Sequence, residues 1–214
     1  MVLSKRWQFL LMLVPKLVYD DSYLNVEYGR FARFVDRSLT LHEAPVLDTL
    51  HLILGKTTCG TGDIRVWLKT ADKRCLRKLI IKINSDKSSV VLPMSLYTCC
   101  RMLVTLKLKN AVLVDVTSSF SFPSLKKLSL VTMKYPDDNV FIFNVRVPSL
   151  KCLVLHNKEG TGVDGGFVID TPSLECLDIF DNRGEFCVIE NNMTNIVKAN
   201  VCFVLRITDP DSPL

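Results

Sequence analysis

Leucine recurs along the chain in the pattern L-x-x-L-x-L. Six copies are clear: Leu47/Leu50/Leu52, Leu76/Leu79/Ile81, Leu103/Leu106/Leu108, Leu125/Leu128/Leu130, Leu150/Leu153/Leu155 and Leu174/Leu177/Ile179; a degenerate seventh is Ile196/Ala199/Val201. Their first positions are separated by 29, 27, 22, 25, 24 and 22 residues. Three successive copies share a longer frame: Phe122–Leu130 (FPSLKKLSL), Val147–Leu155 (VPSLKCLVL) and Thr171–Ile179 (TPSLECLDI). In an extended strand the two apolar residues of each L-x-L share one face, and the residue between them points the other way. Pro123, Pro148 and Pro172 fall just before these strands, where the missing donor does no harm.

A single strand cannot bury its own leucine face, so the units must stack, and a period of roughly 20–29 residues is that of leucine-rich repeats. The predicted fold is α/β: a leucine-rich-repeat solenoid with a curved parallel sheet on its concave side. Short helices, strands and loops are expected on the convex side. The repeats are expected over 44–208, after a connecting and capping segment over 22–43, with 209–214 a disordered tail. Between the strands, Arg65–Leu68 and Ser95–Arg101 read as short helical turns, and Asp115–Ser121 and Asp137–Asn144 as loops, with a second short strand at Val140–Phe143. Gly160–Gly166 reads as a flexible loop without the Lys-Ser/Thr of a phosphate-binding loop. Near the amino terminus, Trp7, Leu10, Leu11 and Val14 have the i, i+3, i+4, i+7 spacing of an amphipathic helix, ended by Pro15. Such a helix is predicted to cap the first coil.

Composition narrows the function. Hydrophobic residues make up 48% and charged residues 23% of 214 residues, enough apolar surface for a real core. A net charge of +5 is mild, so no nucleic-acid partner is expected. No apolar run approaches the ~18–20 residues that cross a bilayer and no secretory signal is evident, so the expectation is no membrane partner and a cytoplasmic or nuclear, reducing location. The eight cysteines are then free thiols. His42, His51 and His156 are the only histidines, and none lies in a nucleophile or metal motif. Cys152, Cys176 and His156 share a face but lack a fourth ligand for zinc. No catalytic residue, metal or cofactor is expected; the chain reads as non-enzymatic.

Binding is therefore the expected role, and alternation places the candidate residues on the concave surface. They are Lys78, Ile80 and Lys82; Thr105, Lys107 and Lys109; Lys127 and Ser129; Val154 and His156; Asp178 and Phe180, with Thr49, His51, Ile53, Val131, Cys152 and Cys176 completing the rows. Five lysines on three successive strands predict one basic patch suited to an acidic or phosphorylated segment of a protein partner. The alternative is a solvated face that keeps the sheet from pairing with other chains.

Val2–Trp7 (VLSKRW), Val14–Leu17 (VPKL) and Tyr19–Asp21 (YDD) resemble the last third to half of an F-box of the plant F-box/FBD/leucine-rich-repeat family. The Pro-Ser-Leu frames and Phe186–Val201 resemble that family's repeat region, so the likeness spans nearly the whole chain. It implies that the F-box part docks on the Skp-type adaptor of a cullin (SCF-type) ubiquitin ligase, while the repeats hold the substrate. Leu3, Trp7, Leu10 and Leu11 are the residues of the residual F-box, and Leu11 stands where the family often has a second tryptophan. The opening of the F-box and the FBD region are not in the sequence. The expectation is thus a substrate-binding repeat module with incomplete adaptor docking. The alternatives are a working receptor through the residual F-box helix, and a non-functional shortened copy.

Overall fold

The structure is a computed structural model that describes residues 12–21, 29–55, 59–84, 91–112, 122–133, 141–157, 165–182, 186–190 and 192–203. Its strands are β1 (Lys16–Asp20), β2 (Thr49–Leu54), β3 (Lys78–Ile83), β4 (Thr105–Lys109), β5 (Lys127–Val131), β6 (Phe141–Arg146), β7 (Cys152–Asn157), β8 (Gly165–Asp170), β9 (Cys176–Asp181), β10 (Phe186–Ile189) and β11 (Lys198–Phe203). The helices are α1 (Arg30–Leu41), α2 (Thr61–Asp72) and α3 (Ser95–Cys99).

Eight strands form one parallel sheet in the order β1-β2-β3-β4-β5-β7-β9-β11, and a second parallel sheet runs β10-β8-β6. Register follows the motif. Leu50, Leu79, Leu106, Leu128, Leu153 and Leu177 are paired neighbour to neighbour, and so are Leu52, Ile81, Leu108, Leu130, Leu155 and Ile179. Both rows are buried, and they share one core with the helices and with Val145, Phe167 and Ile169 of the second sheet. The chain is the leucine-rich-repeat solenoid that its periodicity predicts.

Where the chain departs from the sequence reading, the cause is local. The main sheet begins one strand before the first leucine motif: β1 pairs with β2 in parallel, Leu17 against Leu50 and Tyr19 against Leu52. Leu17 and Tyr19 are buried, so two alternating apolar residues do the work of L-x-L without the leucine upstream. The described part of the connecting and capping segment over 22–43 carries α1, whose Phe31, Ala32, Val35 and Leu39 enter the core. The helical turn expected at Arg65–Leu68 is a twelve-residue helix, α2. Asp63 starts it, its carboxylate accepting the Gly60 N–H at 2.8 Å, an acid at the positive end of the helix. Gly165 and Gly166, read as part of a loop, open strand β8 between β6 and β10. Of the predicted amino-terminal helix, Met12, Leu13 and Val14 are described, the first two helical, and the rest of it lies outside the described residues. So do Asp115–Ser121, most of the Gly160 loop and the tail over 209–214.

Two details tie neighbouring coils together. Trp67 is fully buried, packs edge-on against Phe31 with ring centroids 6.2 Å apart, and donates its indole N–H to Asp36 at 2.5 Å. That bond joins α2 to α1. Asn110, just past β4, donates its amide to the Ile83 carbonyl at 2.9 Å and sits in the left-handed region with φ 56°. Asparagine is one of the few side chains that tolerates this conformation.

Candidate functional site

The face of the main sheet turned away from the core is built by the residues between the leucines. Three rows cross it. The first runs Lys16, Thr49, Lys78, Thr105, Lys127, Cys152, Cys176, Lys198, and the second Val18, His51, Ile80, Lys107, Ser129, Val154, Asp178, Asn200. The third runs Asp20, Ile53, Lys82, Lys109, Val131, His156, Phe180, Cys202. All twelve concave-face residues named from sequence lie in these rows. The sequence reading missed both ends: Lys16, Val18 and Asp20 of β1, and Lys198, Asn200 and Cys202 of β11. The signal for β1 was the alternation of Leu17 and Tyr19. Leu3, Trp7, Leu10 and Leu11 fall outside the described residues.

Charge is unevenly spread over these rows. Lys82, Lys107, Lys109 and Lys127 are exposed and Lys78 is half-buried. From β2 to β7 the rows contain no carboxylate; the acids face outward only at Asp20 in β1 and Asp178 in β9. Neighbouring strands are about 4.8 Å apart, well inside the screening length of about 8 Å at physiological salt. The fields of the five lysines therefore add. The His51 pKa is lowered first by burial and then by Lys82 and Lys16, with Asp20 opposing and Lys78 adding a little.

The other end of the face has different chemistry. His156 Nε2 lies 3.1 Å from Asp178 Oδ2, and the Asn200 amide donates to Asp178 Oδ1 at 3.0 Å. Phe180 stands edge-on to the His156 ring, with centroids 6.2 Å apart. Cys152 and Cys176 are register neighbours and half-buried, and burial is the first cause of the raised Cys152 pKa, followed by Cys176. Raised thiols hold their protons and are slow nucleophiles. Cys100, inside the core, is pushed up to about 12 by burial, then by Asp72 and Cys99. Among the described residues, no three His, Cys, Asp or Glu side chains are grouped to hold a metal ion, and no helix is long and apolar enough to cross a membrane. The arrangement offers a broad surface for another chain.

Comparison with known proteins agrees with this architecture. The family model described as the LRR repeats of FBD-associated F-box protein At5g56370 matches residues 64–201. From Arabidopsis thaliana, "Probable FBD-associated F-box protein At1g32375" is 69% identical over 94% of this chain and 55% of its own length. "F-box/FBD/LRR-repeat protein At5g56420", from the same plant, is 39% identical over 97% of this chain and 55% of its own. The chain thus spans about half the length of the curated relatives it matches. No solved structure matches it. By its repeats, its fold and these relatives, the chain belongs to the plant F-box/FBD/leucine-rich-repeat family.

Proposed function

We propose that the chain is a protein-interaction module, without catalytic activity, whose open sheet face binds an acidic or phosphorylated segment of a partner protein. The observation that carries this reading is the lysine cluster on β3, β4 and β5, with no carboxylate on the same face from β2 to β7. Opposite charge placed over it gains attraction without displacing an existing ion pair among those rows. Carboxylates suit lysine, and a phosphate would suit it better, since each phosphate carries nearly two charges.

The test is fluorescence anisotropy of the intact chain with labelled acidic peptides at two salt concentrations. The Lys107→Glu/Lys109→Glu double variant is expected to weaken binding at least tenfold and to flatten its salt dependence. Equal affinity for acidic and neutral peptides would show the lysines to be a solvated face only.

The names of the relatives add a second reading, that this module serves as the substrate-holding part of a cullin ubiquitin ligase receptor. Co-purification of the folded chain with a Skp-type adaptor would support docking through the residual F-box residues Leu3, Trp7, Leu10 and Leu11. A clean negative would confine the chain's role to holding its partner.

A further inference from the structure

We propose that the partner segment is bipartite: an acidic cluster for the lysines and, about four to six residues away, one bulky apolar side chain seated over Phe180 and Val154. This rests on the acidic-segment reading above and adds what the far end of the same face selects. The lysine cluster ends at β5, with Lys198 of β11 standing apart in the first row. From the end of β5 onward, Val131, Val154 and Phe180 face outward half-buried, and His156 lies among them. The one carboxylate of the outward rows there, Asp178, accepts the Asn200 amide and lies 3.1 Å from His156 Nε2. A second cation arriving at this end would meet a carboxylate with two partners, and a second anion would meet Asp178 itself. An apolar group meets neither penalty, and it covers half-exposed Val154 and Phe180.

The rim beside Phe180 supports the same assignment. A mostly apolar crevice opens there, lined by Met133, Phe167, Phe180 and Phe203, with Asn157 and Asp181 among its polar groups. Its free volume is about 10 Å³, so an aromatic anchor rests over the crevice rather than entering it. The anchor therefore lies across Phe180 with its end at the crevice, in the edge-to-face manner that His156 already adopts with that ring.

Strand order sets the spacing. From β4 to β9 the sheet takes three steps, through β5 and β7, and from β3 it takes four. At about 4.8 Å per step these are roughly 14 and 19 Å, which an extended segment covers in about four to six residues. The rows can be crossed in either direction, so the surface selects the separation of acid and anchor, not their order along the partner. Between β4 and β7 lie Ser129 and Val131 of β5, which carry no charge.

The experiment uses the intact chain and three labelled peptides read by anisotropy at physiological salt: an acidic block alone, the block with a tryptophan five residues away, and the block with the tryptophan adjacent. The five-residue spacing is expected to bind at least tenfold tighter than the other two. Phe180→Ala should remove that gain and leave the acidic block's own affinity unchanged. Val154→Asn, an uncharged polar change on the outward face that leaves the core intact, should do the same. Lys107→Glu/Lys109→Glu should weaken all three peptides. Equal affinity of the three peptides would overturn the bipartite proposal while leaving acidic binding in place. Absence of binding to every acidic peptide would overturn both.

Discussion

The first half of the solenoid and the second are closed on their far side by different elements. Behind β1 to β4 the chain forms helices α1, α2 and α3; behind β5 to β11 it forms the sheet β6-β8-β10. The repeat lengths explain the change. The units beginning at Leu47 and Leu76 are 29 and 27 residues long, while those beginning at Leu125, Leu150 and Leu174 are 25, 24 and 22. A helix advances about 1.5 Å per residue and a strand about 3.3 Å. A long unit can return across the solenoid as a helix such as α2, with twelve residues. A shorter unit must return extended, as the six residues of β8 do. The open face also changes along the sheet, with its lysine cluster on β3 to β5 and Val154, Phe180 and Asp178 on β7 and β9. Backing is set by loop length and the face by the residues between the leucines, so the two differences are independent in origin.

The largest test of this division is Trp67→Ala. It removes a fully buried indole, its bond to Asp36 and its contact with Phe31, and is expected to cost about 3–5 kcal/mol. In a solenoid each coil touches only its neighbours, so hydrogen exchange should show protection lost first in β1 to β4. The counterpart is Ile169→Ala in β8, fully buried, expected to cost about 2–4 kcal/mol with protection lost first in β7 to β11. Equal loss along the whole chain for both variants would make the solenoid one cooperative unit and remove the energetic side of the comparison.

Legibility in the sequence followed the same division. Every strand with L-x-L could be read, because alternation and leucine burial are one physical fact; the weak motif at Ala199/Val201 marks β11 by alternation alone, since its residues are exposed. β1 was hidden because Leu17 and Tyr19 alternate without the leucine that begins each later unit. The backing layer was less legible. The helical turns of α2 and α3 could be placed, but the length of α2 depends on Ile64, Trp67, Leu68 and Ala71 meeting α1 and the sheet, a tertiary effect. β8 opens on two glycines, which signal a loop locally. They become strand because β6 and β10 pair on both sides. The rows of the open face could be read residue by residue. The pairing of His156 with Asp178 could not, since it needs the register between β7 and β9.

Smaller effects come from residues whose backbone is held left-handed. Cys75, after α2, has φ 54°, and Thr132, after β5, has φ 51°. Both carry a side chain that disfavours this region, and the β-branched threonine more so. Cys75→Gly in the helix-backed half and Thr132→Asn at the start of the sheet-backed half are each expected to raise stability by about 1 kcal/mol in urea unfolding. Asn110 shows that asparagine fits one coil earlier, at the position paired in sequence with Thr132. A loss of stability in Thr132→Asn would mean that the buried threonine contributes more by packing than its backbone costs.

The smallest test probes the basic half through His51. Its folded pKa lies below the ordinary 6.5 because burial and then Lys82 and Lys16 disfavour the charged ring. The unfolded chain therefore takes up this proton first as pH falls. The stability contributed by the neutral ring is complete above pH 6.5 and is lost as pH drops from there to the lower folded pKa, below which the loss is constant. His51→Gln should flatten the stability profile over that window and change little above it. An acidic peptide resting on Lys82 offsets part of the cause that lowers the His51 pKa, so binding should raise that pKa. By linkage, the affinity of the wild-type chain for the peptide should then increase as pH falls toward the folded His51 pKa, below 6.5, while that of His51→Gln stays level. A wild-type affinity that ignores pH in this range would place the acidic segment away from β2 and β3, and so move the centre of the basic site toward β4 and β5.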